Sequence, residues 1–315
     1  MILTKGDRVI MFNGKTNTWD IYDYKHRFVI VFTYKCNAKC VHCIVNASPD
    51  NHRKMKFITA KNIIESCAKL GLKFCLISGG EVLLFQNELL KLISLCSKFN
   101  MDVGIETNCF WACSKDRSIE IVSKLKMAGL TSIVLSTDAF HQPFIPIEKV
   151  INAAHAAHSI GLSHMVGMIS SGDISENRVI IDKLNNAGIC FSTYPINPFG
   201  AAANIQYAET SYIDIDQLND CDEVSFTFLP DNNVIACCSY IVNMNNTSPL
   251  YLGNLKINTI EKMYQRYITD KIITSIGENG IKYIMKNQTQ NKKQLNRKYR
   301  SICEVCLEAL SRTII

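Results

Sequence analysis

The chain has 315 residues, with 34 Lys and Arg against 28 Asp and Glu, a formal charge of +6 and 47% hydrophobic side chains. That length is more than one small domain needs and suits a single α/β barrel, while the composition is that of a globular protein with ample core. Without an apolar h-region at the N-terminus or a run of about 18 uncharged apolar residues, a cytoplasmic protein with no membrane partner is expected, and the 14 cysteines point to metal or catalysis rather than disulfides.

Residues 1–27 place Val9-Ile10-Met11-Phe12 and Thr18-Trp19-Asp20-Ile21-Tyr22 on either side of Asn13-Gly14. Asn-Gly between β-rich runs predicts a small N-terminal hairpin. From residue 28 strand and helix patterns alternate. Apolar or β-branched runs stand at 28–34, 74–78, 102–107, 131–137, 164–170 and 189–194. Helical spacing fills 59–70, 86–99, 118–128, 147–160 and 176–187. Gly71, Gly129, Gly161 and Gly188 follow these helices, where a left-handed residue ends the last turn. The alternation predicts an α/β fold with a parallel sheet and right-handed crossovers. Six units are fewer than the eight of a closed barrel, so 28–205 should form a partial (β/α)6 barrel of the TIM type, reactive at the C-terminal edge of its strands.

Beyond residue 205 the alternation stops, and 206–315 is expected to be a second, smaller unit. Phe226-Thr227-Phe228-Leu229 and Val234-Ile235-Ala236 flank a tight turn at Pro230-Asp231-Asn232-Asn233, which reads as a hairpin. A helical stretch follows Gly253, and then a polar segment, 286–300, carries Lys286, Lys292, Lys293, Arg297, Lys298 and Arg300. A solvated linker explains that charge most simply, and no nucleic-acid partner is expected; a dock for an acidic peptide or nucleic acid is the lesser reading.

Chemistry concentrates at strand ends. Just past the first strand, Cys36, Cys40 and Cys43 form a C-x3-C-x2-C run. Three such thiolates can hold three irons of a 4Fe–4S cluster and leave the fourth without a protein ligand. A structural zinc is the alternative, but zinc sites usually want a fourth ligand and paired C-x2-C units. Ser78-Gly79-Gly80-Glu81 closes the second strand, where two glycines admit a close backbone approach. Strand three ends in Glu106-Thr107-Asn108 and strand four in Ser136-Thr137-Asp138. Ser136 and Asp138 fall on one face, toward a ligand, with helix capping as the competing role. His141 reads as structural. Late in the chain Cys221, Cys237 or Cys238, Cys303 and Cys306 make a second set that would suit a further cluster or zinc. Adjacent residues on a strand point to opposite sides, so Cys237 and Cys238 could serve different tasks. Cys67, Cys75, Cys96, Cys109, Cys113 and Cys190 mostly fall at core-facing positions.

The triplet, with His42 just before its last cysteine, resembles the cluster loop of the radical S-adenosylmethionine (SAM) superfamily. In that family the open iron binds the methionyl end of SAM, and reductive cleavage yields a 5′-deoxyadenosyl radical. The resemblance implies that Gly79, Gly80 and Glu81 hold the amino group of SAM, that His42 packs near the adenine, and that Asn108, Ser136 and Asp138 face the cofactor. It also implies a low-potential electron donor of the flavodoxin or ferredoxin type. The second cysteine set resembles the auxiliary-cluster domain, of the twitch type, found in peptide-modifying members, which implies a second 4Fe–4S cluster on Cys221, Cys237, Cys303 and Cys306. That group commonly has Gly five residues before the hairpin cysteine, where this chain has Asn232. Cys237-Cys238-Ser239, Asn108-Cys109-Phe110-Trp111 and the terminal C-x2-C are similar to those of the peptidyl epimerases of epipeptide biosynthesis. They depart from it at Cys109, often Gly, and at Tyr240, where Pro can follow. This resemblance implies L-to-D epimerisation of a ribosomally made precursor peptide, with Cys238 returning a hydrogen atom. Peptide cross-linking or dehydrogenation is the alternative within enzymes, and an iron–sulfur or zinc peptide-binding module the alternative outside them.

Overall fold

A computed structural model describes residues 23–171, 173–205, 212–221, 224–239, 246–288 and 298–313. The hairpin expected in 1–27, apart from its last few residues, lies outside the described residues, as do Tyr240, Lys292, Lys293 and Arg297.

The six parallel strands form where the alternation placed them. They are β1 (Arg27–Thr33), β2 (Phe74–Gly79), β3 (Asp102–Thr107), β4 (Ser132–Ser136), β5 (Ser163–Ser170) and β6 (Phe191–Pro195), paired in chain order. All seven residues of β1 are buried, which explains its unbroken apolar run: a strand covered on both faces has no polar side. The returning helices are α1 (Phe57–Lys69), α2 (Gln86–Lys98), α3 (Lys115–Ala128), α4 (Ile147–Ile160) and α5 (Arg178–Asn186). Each presents an apolar stripe to the sheet. In α1 the stripe is Ala60, Ile63, Ile64 and Cys67, and in α2 it is Leu89, Leu92, Ile93 and Cys96. Burying one such Ile or Leu contributes about 1.5–3 kcal/mol, which outweighs any one helix propensity here. The four glycines at the helix ends all have positive φ, from 67° to 108°. The partial barrel predicted from the alternation is the fold observed.

The remainder of the chain extends the same sheet. Strand β7 (Ile213–Asp214) stands apart and pairs with β11 (Lys298–Tyr299). Strand β9 (Asn233–Ile235) pairs antiparallel with β8 (Phe226–Phe228) on one side and with β10 (Tyr251–Asn254) on the other, and β8 lies parallel to β1. The sheet therefore has nine strands in the order β10-β9-β8-β1-β2-β3-β4-β5-β6. Asn232 takes φ +71° in the β8–β9 turn, a left-handed conformation that Asn accepts more readily than most residues. Helices α6 (Ile260–Thr269), α7 (Lys271–Asn279), α8 (Ile281–Gln288) and α9 (Ile302–Thr313) complete the chain. On α6 the Tyr267 and Tyr264 hydroxyls donate to the carbonyls of Tyr24 and Lys25, at 3.1 and 2.8 Å, binding this part to the residues before β1. Within the basic segment Lys286 faces Asp216 at 3.8 Å and Arg300 pairs with Glu304, so both have internal partners. Among the described residues no helix is long and apolar enough to cross a membrane.

Candidate active site

The loop after β1 is held by its own backbone. Tyr34 N–H donates to Arg53 O at 2.9 Å, Cys36 N–H to Ser48 O at 3.1 Å, and Cys43 N–H to Cys40 O at 3.2 Å. Two further N–H groups aim at sulfur: Ala38 at Cys36 Sγ, 3.4 Å, and Ala47 at Cys43 Sγ, 3.3 Å. Asn108 reaches across from the end of β3, its Nδ2 donating to Asn37 Oδ1 at 3.0 Å and approaching Cys36 Sγ at 3.6 Å. Burial pushes the Cys36 thiol up to about 11 and raises Cys40 and Cys43 as well. These groups would thus stay protonated until a metal cation draws the proton off. A thiol is a weak acceptor, and N–H groups directed at sulfur suit thiolates on iron. The donor set fits a cluster.

Gly79 and Gly80 serve the protein's own backbone. A Cβ on Gly79 would lie 2.3 Å from Thr33 O, and one on Gly80 2.2 Å from Lys35 O. Through this close contact Gly80 N–H donates to Thr33 O and Glu81 N–H to Lys35 O, at 2.7 and 2.9 Å, binding the end of β2 to the cysteine loop. Glu81 is fully buried and well supplied with donors. It accepts from Leu83 N at 3.0 Å, from Asn108 N at 2.8 Å, and from Thr107 Oγ1 at 3.0 and 3.1 Å. Burial nevertheless raises its carboxyl to about 7. Of the carboxyls at the ends of β2 and β3, the one that lines the cavity is Glu106. Its signal was the alternation of β3, which puts Gly104 and Glu106 on the wall that Ser78 shares.

Asp138 is also satisfied from within. Its Oδ1 accepts from Phe140 N and His141 N, both at 3.0 Å, with His141 Nδ1 2.9 Å away. Its Oδ2 takes Ile169 N at 3.3 Å, and His42 Nε2 stands at 3.5 Å. Burial opposes the charge, but these imidazole and N–H partners outweigh it and hold the carboxyl below its usual range. His42 stacks on Phe140 with ring centroids 4.9 Å apart, and burial lowers it to about 4, so it is neutral. Asp138 therefore fixes two imidazoles beside the cysteine loop. His141 is part of this network and also lines the cavity.

The second set converges from distant parts of the chain. Cys237 and Cys238 lie past the end of β9, so strand alternation does not govern them, and both face the central cavity. Ser239 N–H donates to Cys237 Sγ at 3.4 Å, and Ser239 Oγ lies 3.6 Å from Cys238 Sγ. Burial raises Cys303 and Cys306 far above the ordinary thiol value, and Cys221 and Cys237 act on both as near neighbours. Of the other cysteines, Cys67, Cys75, Cys96 and Cys109 are buried, whereas Cys113 and Cys190 are exposed. Cys109 stands at φ +65°, at the position where the resemblance favours Gly.

One cavity of about 740 Å³ brings these parts together. The two cysteine sets, Cys238, His42, Gly79, Gly80, Asn108, Ser136 and Asp138 all line it; Glu81 stands behind the wall. The size suits a cofactor with part of a substrate.

Residues 30–183 match the family model described as the Radical SAM superfamily. The chain is 22% identical over 285 residues to YydG of Bacillus subtilis (strain 168), a protein named for peptide biosynthesis, covering 86% of this chain and 88% of that one. It is 28% identical over 105 residues to the antilisterial bacteriocin subtilosin biosynthesis protein AlbA of the same strain, covering 33% of this chain and 23% of AlbA. The solved structure of native anSMEcpe with bound AdoMet and Cp18Cys peptide superposes with a TM-score of 0.57 at 12% identity, covering 91% of this chain and 96% of that one, a likeness of fold.

Proposed function

We propose, taking as premise that residues 30–183 are a Radical SAM domain, that this chain is a cytoplasmic enzyme acting on a ribosomally made precursor peptide, converting L-residues to D-residues. One observation carries the reading: a single cavity is faced by the first triplet, by the second cysteine set and by Cys238. The names of YydG and AlbA, and the peptide bound to anSMEcpe, support a peptide as the substrate.

Cys36, Cys40 and Cys43 would hold a 4Fe–4S cluster with one open iron, and SAM would lie along Gly79, Gly80, Asn108 and Ser136. Cys221, Cys237, Cys303 and Cys306 would hold a second 4Fe–4S cluster within a twitch-type unit, 206–315. When bound, the first cluster and SAM supply a 5′-deoxyadenosyl radical, using one electron from a flavodoxin- or ferredoxin-type donor. The chain itself supplies aim and exclusion of water. The Glu81–Thr107–Asn108 bonds fix the ends of β2 and β3, and Asp138 fixes His42 against the cysteine loop. A Cα–H of a peptide held in the cavity would be the hydrogen atom that this radical takes up, leaving 5′-deoxyadenosine and a planar carbon radical. Cys238 then gives the hydrogen atom of its thiol to the opposite face of the planar carbon. The resulting thiyl returns to thiol with one electron from the same donor and one proton from solvent.

Turnover in deuterated buffer is the test. Each inverted residue should carry one deuterium and the product otherwise keep its mass, while Cys238→Ala should still release 5′-deoxyadenosine but form no D-residue. A product lighter by two hydrogens would instead support cross-linking or dehydrogenation. Full iron loading without any SAM cleavage would leave only a binding module.

A further inference from the structure

Helix α9 starts beside the second cysteine set. Ser301 stands just before its first residue, Ile302, and the Ser301 carbonyl accepts from Glu304 N at 3.2 Å, as an N-cap carbonyl does. A serine in that place usually turns its hydroxyl onto a free N–H of the first turn. Here the hydroxyl makes no such bond. The Ser301 side chain is fully buried on the wall shared by the cavity and the second set, and its Oγ has no hydrogen-bond partner among the described residues. Ser239, on the same wall, differs: its hydroxyl hydrogen-bonds with Cys303 and lies 3.6 Å from Cys238 Sγ. The donor set itself fits a cluster. Cys303 and Cys306 are one turn apart, Cys221 and Cys237 are near neighbours of both, and Ser239 N–H is directed at Cys237 Sγ at 3.4 Å.

We propose that the Ser301 hydroxyl donates a hydrogen bond to a sulfur atom of a second 4Fe–4S cluster and so raises that cluster's reduction potential. A buried hydroxyl without a partner costs free energy, and native structures satisfy such groups almost without exception. Thiolate and sulfide sulfurs can only accept, so the hydroxyl supplies the hydrogen. The position agrees. Cys303 lies two residues on, in the first turn of the same helix, and the N-terminus of α9 adds positive partial charge on that side. Hydrogen bonds to cluster sulfurs help to set reduction potentials, and a donor favours the reduced form, which carries more negative charge.

The inference rests on the second cluster of the reading above. The full chain is reconstituted anaerobically and the reduction of each cluster is followed by electron paramagnetic resonance against applied potential. The second-cluster signal is the one that Cys40→Ala retains. Ser301→Ala should shift the one-electron equilibrium of that cluster toward the oxidised form by roughly tenfold, a potential about 59 mV lower, with the first cluster unmoved and the iron content equal. Ser301→Thr keeps the hydroxyl and should hold the equilibrium within about twofold of the unsubstituted chain. Ser301→Gly, a change that N-cap positions tolerate, removes the same hydroxyl and should repeat the shift where Ser301→Ala folds poorly. An unchanged second-cluster potential in the Ala and Gly variants overturns the inference, and so does an equal shift of both clusters. A second set that holds zinc or no metal in the unsubstituted chain, beside a loaded first triplet, overturns the second-cluster reading instead.

Discussion

The two cysteine sets face one cavity but are built by opposite means. Cys36, Cys40 and Cys43 sit on one loop whose backbone bonds fix it locally. Cys221, Cys237, Cys303 and Cys306 come from separate stretches of the chain. Asp220 Oδ1 accepts from Cys221 N at 2.8 Å and from Ile281 N at 2.7 Å, tying the first of these cysteines to the start of α8. Gly280 makes room for this, because a Cβ there would lie 2.3 Å from the Asp220 carboxyl. Cys303 and Cys306 are one turn apart on α9. The first site depends on one loop; the second requires most of the fold to be in place.

Substitutions should separate the two. The largest effect is expected from Cys40→Ala, which should abolish 5′-deoxyadenosine formation, whereas Cys306→Ala should lose about half the iron and still cleave SAM. Iron, sulfide and nucleoside assays on anaerobically reconstituted protein decide this, and equal loss of SAM cleavage in both would erase the distinction. Zinc released from the second set would change its metal but keep the contrast.

An intermediate effect tests the rigidity of the first region. Glu81 has its carboxyl raised from 4.5 to about 7 in the folded protein. The folded state then binds the extra proton, so this group's contribution is fully present below about 4.5 and is lost as pH rises through about 7, by up to about 3 kcal/mol. Glu81→Gln should flatten that slope in thermal melts and lower the melting temperature throughout, since unsatisfied buried donors cost about 1–3 kcal/mol. An unchanged slope would mean that another group sets it. The smallest effect is expected in the second region, at the β8–β9 turn. Asn232→Ala should cost up to about 1 kcal/mol, because Ala lacks the local side-chain hydrogen bonding that lets Asn accept a left-handed backbone, and Asn232→Gly should cost nothing or gain slightly, read as shifts in melting temperature. Equal melting temperatures for the Ala and Gly variants would show that the turn relaxes.

Legibility in the sequence followed the same division. The six parallel strands and their helix ends could be read because each depends on spacing within a few residues. The triplet could be read for the same reason. What could not be read was which polar group faces inward. Glu81 looks like a ligand contact in the sequence, but the bonds that place it behind the wall include two from the end of the neighbouring strand β3, at Thr107 and Asn108. Asp138 looked available until Phe140, His141 and Ile169 surrounded it. Cys237 and Cys238 were read as strand neighbours, but β9 stops at Ile235. The joining of β8 to β1 had no local signal, because the two segments are far apart in the chain.

That joining affects how the protein is made. Phe28 pairs with Phe226, so the ribosome must add most of the chain before β1 acquires its second neighbour. At ordinary synthesis rates the wait is roughly 10–40 s. Throughout it a strand that is apolar from Phe28 to Phe32 presents an unpaired edge, the kind of surface that recruits other nascent chains or a chaperone. Translation stalled before residue 226 would therefore release a barrel with a sticky flank, and quality control would meet this protein first at its earliest strand.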